Sequence, residues 1–217
     1  MEKRVGVIGS GTVGQVLADG FLKHGWRVMR GTREVGKLES WKRAAGPNAS
    51  LGGFADAATF GDVVVLAVKG SAAESAVALC GADSLAGRTV IDATNPIADA
   101  PPDKGVLRFF TTLDESLMER LQRAAPGARF VKAFSCVGNA HMVNPDFGGT
   151  KPTMFLCGDS KEAKATVQEI LTAFGWESED MGGVEAARAI EPLCMLWCIP
   201  GLLSNRFDHA FKLLRKS

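Results

Sequence analysis

The 217-residue chain has no excess of charge of either sign, with 25 Lys and Arg against 24 Asp and Glu and a formal net charge of +1. No stretch gathers enough cations to track a phosphate backbone, so nucleic-acid binding has no electrostatic support. Long apolar runs are also missing. The most apolar one, Pro192 to Leu203, holds two prolines and a glycine and falls short of the ~20 residues that cross a bilayer. The first residues, Met1-Glu2-Lys3-Arg4, enter a strand without a signal-peptide pattern. The expectation is a cytoplasmic protein with no membrane partner. Cysteines are few and odd in number: Cys80, Cys136, Cys157, Cys194 and Cys198. Their scattered spacing excludes a disulfide framework. Cys194 and Cys198 share a helix face, but no third ligand lies near in sequence, so core packing is expected and no metal. Of three histidines, His24 and His209 fall in predicted helices, where a cation near the C-terminus suits the dipole. The basic tail Lys212 to Lys216 is read the same way.

What is present is an alternation of short β-branched runs and helical periodicity. Arg4 to Ile8 is a strand that stops at glycines. From Thr12, Val13, Val16, Leu17, Phe21 and Leu22 recur at three- and four-residue steps, and Gly25 fits a C′ stop. A strand over Arg27 to Arg30 completes a βαβ unit. Helices follow at Glu34 to Ala45 and Phe54 to Phe60, with a brief strand at Ala49 to Leu51 between them. Asp62 to Val68 contains an unbroken apolar run, Val63 to Val68, as in a strand covered on both faces. A helix at Ser71 to Leu79, a strand at Arg88 to Asp92, a helix at Leu113 to Ala124 and a strand at Arg129 to Phe134 repeat the cycle. Thr153 to Leu156 and Trp176 to Asp180 are further strands. They flank a helix from Asp159 to Phe174 with a capping box of Asp159 and Glu162 and a Gly175 stop. Two last helices, Val184 to Cys198 and Gly201 to Leu214, are expected to meet at Ile199-Pro200-Gly201, with Pro192 kinking or restarting the first. The pattern predicts an α/β fold: a doubly wound, mostly parallel Rossmann sheet with helices on both faces and a small C-terminal helical extension. Residues 1–150 form the dinucleotide-binding core and 151–217 a small α/β extension packed on it.

Between the first strand and helix stands Gly9-Ser10-Gly11-Thr12-Val13-Gly14. In this context each glycine has a task. Gly9 permits the tight turn, Gly11 admits a pyrophosphate against the backbone, and Gly14 lets the helix pack close to the strand. Free N–H groups at the helix start hold the anion. The second strand ends Arg30-Gly31-Thr32-Arg33, without the acid that bonds an NAD ribose. An acid repels a 2′-phosphate and an arginine bonds it, so Arg33, helped by Lys37, selects NADP over NAD.

These residues resemble the NADPH-dependent reductases of the deazaflavin coenzyme F-420 and the small dinucleotide-binding enzymes around them. The matching pieces are residues 6–14, Gly31-Thr32-Arg33, Val64 to Val68, Asp92-Ala93-Thr94-Asn95-Pro96 and Val131-Lys132-Ala133-Phe134. The cytosolic domains of six-span ferric reductases look similar too. The resemblance implies that Ser10, Thr12 and Val13 line the pyrophosphate beside the glycines, and that Thr32, Arg33 and Lys37 hold the 2′-phosphate. It places Ala67, Val68 and Lys69 along the adenosine and ribose, and Asn95 and Pro96 near the nicotinamide. Ala133, Phe134 and Ser135 would floor the pocket of the second carrier. Family members tend to have Asn where this chain has Ser135, which leaves that carrier open among coenzyme F-420, FMN and FAD.

Hydride transfer between NADPH and a flavin-like ring asks little of the protein beyond orientation and exclusion of water. A Ser-His-Asp set or paired carboxylates is therefore not required. His141, in the loop after the strand that ends at Phe134, and Lys69, at the end of another, are the candidate catalytic groups; each also reads as an ordinary loop residue. The stripe Leu193 to Trp197 covers the nicotinamide, forms a homodimer face, or is core. The reading favoured is an NADP(H)-dependent oxidoreductase acting on a small-molecule hydride acceptor, a flavin-like or deazaflavin carrier. The alternatives are a reductase of a small carbonyl or imine, and an NADP(H) sensor without turnover.

Overall fold

The apolar run at Val63 to Leu66 is a strand whose side chains alternate between two cores. Val63 and Val65 join one buried cluster, Val64 and Leu66 the other. A computed structural model describes residues 2–216. In chain order the elements are β1 (Arg4–Ile8), α1 (Thr12–Lys23), β2 (Arg27–Gly31), α2 (Glu39–Ala45), β3 (Ala49–Gly52), α3 (Phe54–Phe60), β4 (Val63–Leu66), α4 (Ala73–Cys80), α5 (Ala82–Leu85) and β5 (Thr89–Asp92). Then come α6 (Leu117–Ala124), β6 (Arg129–Lys132), β7 (Thr153–Leu156), α7 (Lys161–Ala173), β8 (Glu177–Asp180) and α8 (Ala187–Ser204).

Six strands form one parallel sheet in the order β3-β2-β1-β4-β5-β6. The strand order reverses between β1 and β4, the crevice where doubly wound sheets bind ligands. One face is covered by α1 and α7, through Leu17, Phe21, Val167 and Ile170. The other is covered by α3, α4, α6 and α8, through Ala57, Val77, Leu121 and Ile190. The expected doubly wound α/β fold is therefore present. β7 and β8 pair in parallel as a separate ribbon, joined to the main sheet by an antiparallel bridge between Lys132 and Cys157.

The main departures lie after β5. Residues 93–116 form a long irregular segment tied back on itself by bridges between Ile97 and Phe109 and between Asp103 and Val106. The helix expected from Leu113 starts at Leu117, because Ser116 caps it with its Oγ on the Glu119 N–H. The strand expected to reach Phe134 ends at Lys132; Phe134 takes a left-handed φ of +63° that breaks the ladder. The capping box expected of Asp159 and Glu162 is not formed, and the cap lies one residue on. Ser160 caps α7, while Asp159 accepts the Val184 N–H.

The two expected C-terminal helices are corrected more substantially. A single helix, α8, runs through both Pro192 and Pro200. Each proline frees the carbonyl four residues earlier, on Arg188 and Leu196. Both of these residues have solvent access, so water can satisfy the freed groups and the helix need not break. With the 3-10 turn Val184–Ala186 before it, this stretch is 21 residues and holds an 18-residue window of mean hydropathy 1.3, long and apolar enough to cross a membrane by length and composition alone. The helix expected over Gly201 to Leu214 stops at Asn205, a left-handed cap, and residues 206–216 carry no helix. Instead the tail runs beside β7, with the Thr153 N–H on the Phe211 carbonyl at 2.9 Å. Lys212 and Arg215 thus do not sit at a helix end; they pair with Glu177 and Glu179 of β8. His209 is likewise non-helical: its ring stacks on Trp197 with centroids 5.0 Å apart.

Candidate functional site

Why the first turn requires glycine is visible atom by atom. Gly9 has φ +140°, and a Cβ there would lie 2.2 Å from the Ala67 carbonyl oxygen at the end of β4. A Cβ on Gly14 would come within 2.8 Å of the Gly9 oxygen. At Gly11, by contrast, a Cβ meets no protein atom within 4 Å. The first two glycines let turn, helix and strand close on one another; the third leaves open the space where a ligand backbone would rest. Gly11 is also the N-cap of α1 and supplies no side-chain cap, so the first N–H groups of that helix keep their capacity for an anion.

Beside this turn lies a groove of about 220 Å³. Its floor is Gly9, Ser10 and Gly11; one wall is Thr32 and Arg33 after β2; the other is Ala67, Val68 and Lys69 after β4. Phe54, Ser75 and Leu79 close the far side from α3 and α4. One arginine, one lysine and no carboxylate line it. The groove thus brings together eight of the residues singled out in the sequence. Thr12, Val13 and Gly14 begin the helix directly behind the turn. Lys37 is not in the wall: its ammonium pairs with Glu34 at 2.8 Å, one helical turn back, and both are largely exposed.

The remaining residues sit along the ends of β5 and β6. Asn95 donates from Nδ2 to the Ser135 carbonyl at 2.8 Å, so the two loops are tied together. Asn95 Oδ1 and Ser135 Oγ are buried without a hydrogen-bond partner among the described residues. Pro96 accepts the Phe110 N–H at 2.9 Å. Ala133 and Phe134 are core residues, and the Phe134 ring lies 6.2 Å from that of Phe174. Lys69 forms an exposed ion pair with Asp99. His141 ends a 3-10 turn and its ring lies 5.0 Å from that of Phe147. Neither candidate proton donor converges with the other.

Beneath the Asn95 and Ser135 loops is a network to which the sequence reading assigned no role. The parallel register sets Asp92 beside Lys132. The Lys132 ammonium lies 2.7 Å from Asp92 and 2.9 Å from Glu191 of α8, all three sealed from solvent. Burial alone would push Lys132 down, but the two carboxylates outweigh it and hold its pKa above the ordinary lysine value. Charged residues at the ends of apolar strands were the available signal. Phe109, Thr111 and Leu113 of the irregular segment, with Pro192 and Met195 of α8, frame a second hollow of about 360 Å³ that reaches Glu191. A hollow of about 350 Å³ at the opposite edge, by Trp26 and Phe174, lies at the N-terminal ends of the strands, away from the ligand side of such folds. Among the described residues no group of three His, Cys, Asp or Glu could hold a metal.

Comparison with known proteins agrees with this geometry. Residues 4–96 match the family described as NADP oxidoreductase, coenzyme F420-dependent. A solved structure from Arthrobacter sp. FB24, a proposed F420-dependent NADP reductase, superimposes with a TM-score of 0.90 at 29% identity, covering 99% of this chain and 100% of the other. The metalloreductase STEAP3 of Rattus norvegicus is 32% identical over 93% of this chain, which spans only 39% of that relative's length. An imine reductase of Streptomyces aurantiacus shares the fold, with a TM-score of 0.68 at 19% identity over 93% of this chain and 64% of its own. The glycine turn and its groove lie inside the matched residues, and over that stretch the chain is similar to the NADP oxidoreductases described as coenzyme F420-dependent.

Proposed function

We propose that the protein transfers hydride between NADPH and a flavin-like or deazaflavin carrier. The observation that carries the cofactor half is the groove wall: Arg33 lines it and no carboxylate does. The residues present fit the dinucleotide. Gly9 to Gly14 would hold the pyrophosphate, Thr32 and Arg33 the 2′-phosphate, and Ala67 to Lys69 the adenosine and ribose. Bound there, the nicotinamide supplies the hydride, and the protein's own contribution is position and dryness. Asn95 and Ser135, cross-linked and fixed from below by Lys132, would set the nicotinamide end. The hollow between Phe109 and Met195, reached from Pro96 through Phe110, would take the acceptor.

The carrier reading is preferred over a carbonyl or imine substrate on one observation. Reduction of a carbonyl or imine needs a proton delivered to its heteroatom as the hydride arrives. Here Lys69 is engaged by Asp99 and the His141 ring packs at a tilt against Phe147, whereas a flavin-like ring exchanges its proton with solvent. The test is NADPH oxidation by the purified protein with coenzyme F-420, FMN, FAD, ferric chelates and a panel of small carbonyls and imines. Turnover confined to the deazaflavin or a flavin is expected. Turnover confined to carbonyls or imines overturns the carrier assignment, and tight NADPH binding without turnover of any acceptor leaves a sensor.

A further inference from the structure

Arg30 is fully buried in β2, directly beneath the glycine turn. Its Nη2 donates to the carbonyl oxygens of Gly9 and Gly11 at 3.2 and 3.3 Å. The guanidinium lies 4.9 Å from the centre of the Trp41 ring. Asp19, the acid that influences it, is bonded by the Trp41 indole at 2.7 Å and makes no ion pair with it. Arg30 Nε and Nη1 have no hydrogen-bond partner among the described residues. A buried arginine stays charged, and without a counter-ion it is costly. Such a group calls for an explanation beyond packing.

The peptide geometry supplies one. In a trans peptide the C=O and the following N–H point in opposite directions. Pinning the Gly9 and Gly11 carbonyls inward therefore turns the N–H groups of Ser10 and Thr12 outward, towards the groove. Gly14 makes room for this, since a Cβ there would strike the Gly9 oxygen. The charge, without an ion-pair partner among the described residues, sits behind the same two peptides.

We propose that Arg30 is a positioning residue for the dinucleotide: it presets the Ser10 and Thr12 N–H groups for the pyrophosphate and adds its charge to the attraction for that anion. The proposal rests on the cofactor reading above, and its test separates the two. NADPH, NADH, ADP and adenosine 2′-monophosphate are titrated calorimetrically into wild type and Arg30→Met, with thermal melts to verify folding. Arg30→Met should weaken NADPH, NADH and ADP by a common factor of about 10- to 100-fold, or about 1.4–2.7 kcal/mol. Adenosine 2′-monophosphate, which has no 5′-phosphate, should bind as before. A folded variant with unchanged NADPH affinity overturns the proposal while leaving the cofactor reading intact. Equal loss for adenosine 2′-monophosphate also overturns it, since that marks collapse of the whole groove. If the Met variant does not fold, Arg30→Gln, which keeps one donor and removes the charge, is read by the same pattern. A wild-type protein with no affinity for NADPH, NADH or ADP removes the cofactor reading itself, and this inference with it.

Discussion

Lys132 Nζ lies 2.9 Å from Glu191 Oε1, and this contact locks α8 to the end of the parallel sheet. Both oxygens of Glu191 also accept backbone N–H groups, from Leu117 and Met118 at the start of α6, each at 3.0 Å. Lys132 in turn donates to the Thr94 carbonyl at 3.0 Å, one residue before Asn95. Two strands, two helices and the loop proposed to meet the nicotinamide thus converge on one ammonium.

Removing that ammonium leaves two buried carboxylates facing each other. Lys132→Met should therefore destabilise the protein by about 3–5 kcal/mol, the usual result of breaking a buried pair from one side. Neutralising the partners as well, with Asp92→Asn and Glu191→Gln in the same chain, should recover a substantial part. Urea unfolding at neutral pH measures both. A Lys132→Met loss below about 1 kcal/mol, inside the range of exposed pairs, contradicts the network.

The glycines of the first turn should separate folding from binding. Gly11→Ala adds a methyl where no protein atom stands within 4 Å, so its stability should stay within about 0.5 kcal/mol of wild type. The methyl projects into the space assigned to the pyrophosphate, so NADPH affinity should fall by at least about tenfold, or about 1.4 kcal/mol. Gly9→Ala meets the Ala67 oxygen at 2.2 Å with φ +140°, and should instead lower the melting temperature and the yield of folded protein. Reversal of the two phenotypes in paired melting and titration experiments contradicts the placement of the turn.

Arg33→Ala should weaken NADPH by about 1.5–3 kcal/mol, on the order of 10- to 100-fold, the scale of a charge-assisted hydrogen bond. NADH, lacking the 2′-phosphate, should change little. This is the opposite pattern to Arg30→Met, which lowers both. Lys37→Ala should leave both cofactors nearly unchanged, because Lys37 is held by Glu34 outside the groove. Equal losses of NADPH and NADH in Arg33→Ala rule out its 2′-phosphate role.

What the sequence disclosed was local. The bounds of β1 and α3 agree with the run of residues that predicts them, and the strands β2, β4 and β5 are recovered within two residues at each end, while α2 starts at Glu39, five residues after the expected Glu34, behind a 3-10 turn; β-branched runs, glycine stops and helical spacing act over a few residues. The groove followed, since its floor and two walls are the ends of β1, β2 and β4, three strands adjacent in the sheet. Arg30 escaped notice because nothing in Val28-Met29-Arg30-Gly31 says that the third side chain turns inward; only α1 and Trp41 packing over it decide that. Glu191 escaped because its partners, Lys132 and the N–H groups of Met118 and Leu117, are 59, 73 and 74 residues away in sequence. The tail departs from its helical pattern for a related reason. Phe207 against Gly201, and His209 on Trp197, are tertiary contacts that overrule a helix-compatible pattern.

Acid should loosen the junction of α6 and α8 through one carboxylate. Glu119 closes the capping box of α6 on Ser116 and receives Arg188 from the start of α8. Arg188 is the larger cause, with the Ser116 bonds adding to it and burial opposing; together they hold the Glu119 pKa at about 2, down from 4.5. A carboxylate depressed in the folded state contributes stability that is complete above its unfolded pKa and is lost as pH falls from about 4.5 towards about 2. Arg188 is 39% exposed, so solvent screening reduces the effect to about 1–2 kcal/mol. Glu119→Gln should therefore be less stable than wild type by that amount at pH 6. The gap should narrow steadily below pH ~4.5, as wild type loses the charge that the variant never had. Urea melts of both proteins from pH 6 to pH ~3 measure it, and a gap that stays constant or widens on acidification assigns the stabilisation to something other than the Glu119–Arg188 pair.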